Sequence, residues 1–486
     1  MAEGACPMNI TISIPSLKTD IPALNDAFQI AIGDIAGNVL PYCEGVLREP
    51  QPVLMAGLNY KTPWTRDASI NTWNGAGLLM PEVTKNTLLS VLVEEGGRVR
   101  AGGEYWDAII WALGAWHQYL YTGDRDFLAF AYEVVAASIE YFEATEWNPQ
   151  TGLFRGPACY GDGVAAYPDL YAQTNGSSSI KQWPVCNPGL VSTPGEGIGM
   201  QALSTNCLYA AAYKIAGQME EELHGRASSL WLVKSEELKQ RIIGHFWDED
   251  KGTFRYLVDE YGGSEAQEGM GLSLAMLLGI ADDEQARRIL AGAHITPSGI
   301  PCLWPNFARY ERPDGNTFGR HSGTVWPHIQ AFWAEAALRN GRMDLFLHDL
   351  TVLAGFACRD GHFAELYHPL DGSIYGGIQE GEAHPDKVWG SLSRQTWSAT
   401  GFVRMILFGL AGAEFTTEGL RFAPVLPDHL GTVSLQGLSY RGWTINLELR
   451  GGGSRIARCT WNGADAAAFI PADGAGAVSL CLEMRP

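Results

Sequence analysis

Three loop segments of the 486-residue chain place acidic side chains among aromatic ones. In "NYKTPWTRDASINTWNGAGLL" (residues 59–79), Arg66 and Asp67 are adjacent at the mouth of an expected helix, between Trp64 and Trp73. In "RGPACYGDGVAAYPDLYAQTNGSSSI" (residues 155–180), Asp162 stands between Gly161 and Gly163. Those glycines let the backbone approach closely and aim the carboxylate inward, although an ordinary surface turn has the same composition. In "GHFAELYHPLDGS" (residues 361–373), Glu365 lies among His362, Phe363, Leu366 and Tyr367. A carboxylate in such a run either alternates out to solvent or is buried for a purpose, and burial raises its pKa unless donors compensate.

Two carboxylates on opposite walls of an aromatic-lined pocket suit cleavage of a glycosidic bond. One, protonated, gives the leaving oxygen its proton; the other, ionised, takes a proton from water or attacks carbon. That chemistry needs no cofactor. The chain has no Walker loop, His-Glu-x-x-His helix or Gly-x-Ser-x-Gly elbow, and its 11 histidines show no metal-ligand spacing. "GEGIGM" (residues 195–200) is glycine-rich but follows Thr-Pro instead of a strand. Neither a cofactor nor a metal is expected.

Composition narrows the partners. With 46% hydrophobic and 18% charged residues the chain can bury a sizeable core. A formal net charge of -20 disfavours nucleic acid and anionic membrane, which need basic surfaces, and leaves a neutral ligand open. The N-terminus lacks a basic, then apolar, leader, and no apolar run is long enough to span a bilayer. The 9 scattered cysteines include no Cys-x-x-Cys pair, as expected of reduced thiols in a cytoplasm. The 16 Trp and 18 Tyr would mostly form core, and such a supply also suits stacking on sugar rings.

Loops need rigid elements to hold them. Small and aromatic residues recur at helical spacing over residues 105–123 and 124–147. Comparable pairs occupy 195–219 with 220–248, 268–281 with 283–293, and 324–340 with 342–359. With 21–44, 69–93 and 393–411, about eleven helices are expected. Several are apolar on more than one face, as in the inner ring of a double helical barrel. "NPQTGLFRG", "DEDKGTFRY" and "HPLDGSIYGG" each follow a long helix and share a polar turn, a glycine and a strand-like run, which predicts β-hairpins on one rim. From residue 414 onward, alternation and Asn-Gly or Asp-Gly turns predict a small β-sandwich-like module. The expected division is an N-terminal extension with a possible strand (1–20), a mainly α domain (21–413) and the β module (414–486).

These residues also carry a resemblance. "WTRDAS" resembles a signature of the glucoamylase family, glycoside hydrolase family 15. "SGTVWP" (residues 322–327) resembles a segment of glycoside hydrolase family 63 and of glycogen-debranching glucosidases. "FAELYHPLDGS" followed by "RQTWSATGF" is similar to a stretch of both families. The resemblance implies an (α/α)6 barrel and an exo-acting, inverting hydrolase removing a terminal sugar, α-glucose foremost, from a small oligosaccharide or glycoside. It implies Glu365 as general base and Asp162, after the fourth barrel helix, as general acid, with Asp169 a competitor. Arg66 and Asp67 would grip sugar hydroxyls, with Trp64 or Trp326 over the ring and His321 and Trp397 nearby. Family 63's arginine before Gly-x-Val-Trp is replaced by Ser322, with Arg320 and His321 close by. A disaccharide phosphorylase on the same barrel and a non-catalytic carbohydrate-binding protein are the rival readings.

Overall fold

The computed structural model describes residues 14–103, 108–161, 163–169, 199–226, 229–259, 263–379 and 388–486. Among the described residues, twelve helices build two concentric rings. Helix α1 is Pro22–Gly37. Helix α2 starts at Thr65–Asn71 and continues through a π turn at Thr72–Ala76 to Gly77–Leu79. Then come α3 (Pro81–Ser90), α4 (Trp111–Thr122), α5 (Arg125–Thr145) and α6 (Leu203–His224). Next are α7 (Ser229–Phe246), α8 (Gly269–Leu277) and α9 (Asp283–Gly292). Last are α10 (Pro327–Arg339), α11 (Met343–Asp360) and α12 (Thr396–Arg404, prolonged by a π segment at Met405–Leu410). The even-numbered helices pack in succession, α12 returning against α2, and so close the inner ring; the odd-numbered ones lie outside. Burial follows this division. Every residue of α10 from Pro327 to Leu338 is buried, whereas α9 buries only Ala286, Ile289 and Leu290.

Three of the expected boundaries that shift do so at a proline or glycine. The helix expected over 69–93 is two helices, because Pro81 lacks an N–H and forces its predecessor off the helical region. Met80 accordingly sits at φ -147°, ψ 65°, and Pro81 opens α3. This break supplies the twelfth helix and makes the loop bearing Asp162 follow the fifth helix, not the fourth. The helix expected over 21–44 ends at Gly37; Val39–Tyr42, which contains Pro41, pairs instead with Gln51–Leu54. The turn expected after residue 219 falls at Gly225, whose φ of 70° suits a left-handed helix cap.

The three repeated glycine turns are hairpins on one rim. Gly152, Gly252 and Gly372 have φ of 67°, 66° and 68°, and each donates its N–H to the carbonyl four residues earlier, on Asn148, Asp248 and His368. The helical part ends at Leu410, and Ala413–Phe415 begins a three-stranded sheet with Gly419–Phe422 and Phe469–Pro471. A six-stranded sheet places Val433–Tyr440 between Ser16–Lys18 and Gly442–Gly451, followed by Ala475–Arg485, Arg455–Trp461 and Ala464–Asp465. Its inward residues Leu435, Leu447 and Leu480 join one apolar cluster with Phe28 of α1, Phe346 of α11 and Phe402 of α12. No described helix is long and apolar enough to cross a membrane.

Candidate active site

Alternation of the helices sets the site. Because successive helices run antiparallel, all six inner helices begin at the same mouth of the barrel, and the segments leading into them meet there. Trp64 precedes α2, Ala202 α6, Glu268 α8, Trp326 α10 and Gln395 α12. The positive ends of their dipoles share that mouth. About two turns down the inner helices, at 1.5 Å per residue, Arg404 and Glu335 form a fully buried pair 2.6 Å apart. The Arg404 guanidinium lies over Phe332 at 3.9 Å and Trp73 at 4.6 Å.

Glu365 lies in the extended segment between α11 and α12 and is 3% exposed. Its Oε1 pairs with Arg320 Nη2 at 2.8 Å, and its Oε2 accepts the Leu392 N–H at 3.2 Å. Arg320 is itself fixed. Its Nη1 donates to the Gly376 carbonyl at 3.1 Å, and its guanidinium lies 5.3 Å from the Trp326 ring and 5.8 Å from Trp389. The Trp326 indole N–H donates back to the Arg320 carbonyl at 2.8 Å. The sequence reading placed Arg320 in the neighbourhood without giving it this role. The pair spans 45 residues, and no local spacing signals it.

An aromatic stack runs from Arg320 to Arg66. His321 stacks on Trp326 at 5.0 Å and 12°, Trp326 meets Trp397 edge-on at 5.7 Å, and Trp397 stacks on His328 at 4.0 Å. Arg66 lies 5.8 Å above Trp397. Arg66, Asp67, His321, Trp326 and Trp397 are all buried, whereas Trp64 is 42% exposed at the rim. His328, which sequence reasoning missed, sits at the start of α10. Burial, with the Arg66 charge and His321 adding to it, drives its pKa well below the usual histidine value, so it is a neutral stacking partner at ordinary pH.

The loop that contains Asp162 adjoins this stack. Arg66 Nη1 donates to the Cys159 carbonyl at 3.4 Å, and Tyr160 faces His321 at 6.1 Å. Asp162 itself lies outside the described residues. Its neighbour Gly163 is pressed so closely on Gln379 that a Cβ there would come within 2.3 Å of the amide. Beside Gln379, Ile378 bridges to Gly319, the residue before Arg320. Gly163 and Glu365 are thus linked through the Gln379 side chain, the Ile378–Gly319 bridge and the Arg320 side chain. Asp169 is placed differently: it is half-exposed and pairs with Arg309 at 2.6 Å. Among the described residues, no group of three or more His, Cys, Asp or Glu side chains could hold a metal ion.

Comparisons with known proteins agree with this architecture. The model of the mannosylglycerate hydrolase MGH1-like glycoside hydrolase domain matches residues 95–398. Among solved structures, a protein described as a sialidase is 13% identical with a TM-score of 0.64, covering 94% of this chain and 42% of its own. A family 78 rhamnosidase of Bacillus sp. GL1 is 13% identical with a TM-score of 0.55, covering 90% of this chain and 42% of its own. The family 63 mannosylglycerate hydrolase from Thermus thermophilus, in complex with glucose, is 14% identical with a TM-score of 0.59, covering 78% of this chain and 100% of its own. The chain thus spans under half the length of the first two. At these identities the likeness is one of fold, the (α/α)6 barrel. No curated protein sequence matches the chain.

Proposed function

The chain belongs to the mannosylglycerate hydrolase MGH1-like glycoside hydrolases, and on that footing we propose that it is an exo-acting, inverting enzyme that removes a terminal α-glucosyl residue from a small oligosaccharide or glycoside. Asp162 is the general acid and Glu365 the general base. The observation that carries this reading is the unbroken run of contacts from Arg66 through Trp397, Trp326 and Arg320 to Glu365, with Arg66 also touching Cys159 three residues before Asp162.

In the proposed reaction Glu365 takes a proton from a water whose oxygen attacks the anomeric carbon. The bond from that carbon to the leaving oxygen breaks as Asp162 protonates that oxygen. Inversion requires roughly 6.5–9.5 Å between the two carboxyl groups, with the water between them. Arg66 and Asp67 supply a donor fork and an acceptor for vicinal hydroxyls, and the exposed Trp64 covers a sugar face at the rim. Asp169, committed to Arg309 on the half-exposed side of the loop, is the weaker choice for the acid.

Asp162→Asn and, at a stability reduced by the unpaired Arg320, Glu365→Gln should each reach the native fold and lower turnover by about a hundredfold or more, on the scale of acid–base catalysis. Unaltered turnover in either variant removes that residue from its role. The substrate panel should hold α-glucosides and α-mannosides, including hexosyl glycerates, since the Thermus relative is a mannosylglycerate hydrolase bound to glucose. Proton NMR of the fresh product decides the stereochemistry: an anomer of unchanged configuration refutes inversion.

A further inference from the structure

Glu268 takes no part in the steps above, yet it is fully buried at the same mouth. It ends the short strand Gln267–Glu268 and immediately precedes α8. Its Oε2 accepts the Ser204 backbone N–H at 3.1 Å, while its Oε1 is buried with no hydrogen-bond partner. There is no room beside it: a Cβ on Gly271 would come within 2.3 Å of Oε2.

Ser204 opens a grip on the acid loop. Its hydroxyl accepts the Cys159 N–H at 3.0 Å. Thr205 Oγ1 donates to the Pro157 carbonyl at 2.5 Å. Asn206 accepts the Phe154 N–H at 2.8 Å and donates to its carbonyl at 3.0 Å. The first turn of α6 therefore holds the backbone from Phe154 to Cys159. The next residues are Tyr160, Gly161 and Asp162.

We infer that Glu268 is a positioning residue for the acid loop: it seats the first turn of α6, and that turn fixes the segment that leads into Asp162 and receives Arg66. The inference rests on the reading of Asp162 as the acid. The groups facing Glu268 are Tyr160 from the loop, Cys207 from α6 and Tyr256 from the strand region before α8, with Cys159 and Cys302 in the same surroundings. Burial lifts Tyr160, Tyr256 and Cys207 well above their usual values and Cys302 to about 12, so these four are neutral near pH 8 and bring no positive charge. Burial likewise raises the Glu268 carboxyl to about 8. It carries its proton at neutral pH; opening hydrates it and lets it ionise, so the closed seat loses stability as pH rises from about 4.5 to about 8.

Hydrogen exchange of peptides covering residues 154–161, corrected for intrinsic rates, tests this in the full-length protein at pH 6.5 and pH 9. In the wild type, protection should fall about thirtyfold between pH 6.5 and pH 9, the loss accruing over the roughly 1.5 pH units up to the folded pKa of about 8. Glu268→Gln, which mimics the protonated acid, should keep its protection at both values. Glu268→Ala should lack it at both and lose about a hundredfold in turnover, as expected for a misplaced catalytic group, with the Gln variant restoring most of that loss. If the Ala variant fails to fold, the comparison of wild type with Glu268→Gln decides alone. Equal pH dependence in those two proteins overturns the inference. Full turnover by Asp162→Asn overturns instead the reading of the acid, so the two failures are distinguishable.

Discussion

Arg320 and Glu365 form a pair with side chains 11% and 4% exposed, and its value depends on both members being present. A buried ion pair contributes little net stability, but removing one partner strands a charge in low dielectric at about 3–5 kcal/mol. Arg320→Met should therefore lower unfolding stability by about that amount and reduce turnover by disturbing Glu365, the proposed base. Arg320→Met combined with Glu365→Gln should recover much of the stability and none of the activity. Urea unfolding of the four proteins in this cycle measures the coupling, and simple additivity would refute it. Glu268 gives the opposite kind of prediction. Its folded pKa of about 8 lies above the ordinary 4.5, so the stability it contributes is complete below pH 4.5 and is lost as pH rises to 8. Glu268→Gln should flatten the fall in melting temperature across that window. A fall as steep as in the wild type would contradict this.

At the scale of elements, glycine and proline explain where the sequence reading held and where it slipped. Helical periodicity located the hairpins from 105 to 147 and from 268 to 293 to within a few residues, because each buries an apolar stripe that repeats every three or four positions. Periodicity cannot show a break when both sides of it are apolar, so Pro81 was absorbed into one long helix. The rim hairpins were legible because the left-handed glycine recurs at Gly152, Gly252 and Gly372. Gly372 has φ 68°, and a Cβ there would come within 2.2 Å of the Phe356 ring. Gly372→Ala should destabilise the protein by about 1–3 kcal/mol. Gly244, inside α7, has open space around it. Gly244→Ala should stabilise by about 0.4–1 kcal/mol. Calorimetric melting of the two variants checks the opposite signs.

At the scale of the whole molecule, the helical rings and the strands share a core. Leu79, Tyr121 and Phe346 belong to the same buried cluster as Leu435, Ile445 and Leu482. Removing residues 414–486 would open that cluster to water, at about 25 cal/mol for each Å² of apolar surface exposed. The intact chain should unfold in one calorimetric transition, and the truncated chain should lose its near-ultraviolet circular dichroism. A truncated chain with native melting behaviour would show that the two parts fold independently.

Residue order and type by themselves determined the alternating helices, the rim turns, the strand-rich end and the three segments carrying Arg66–Asp67, Asp162 and Glu365. Those features depend on neighbours within a few positions, where apolar spacing, proline geometry and glycine's freedom act directly. Only the tertiary structure decided that Arg320 holds Glu365, that His328 backs Trp397, and that a buried Glu268 accepts the Ser204 N–H in the turn that grips residues 154–159. Each of these pairings joins residues remote in the chain, and its strength comes from exclusion of water, a property of the closed barrel that no short stretch of sequence contains.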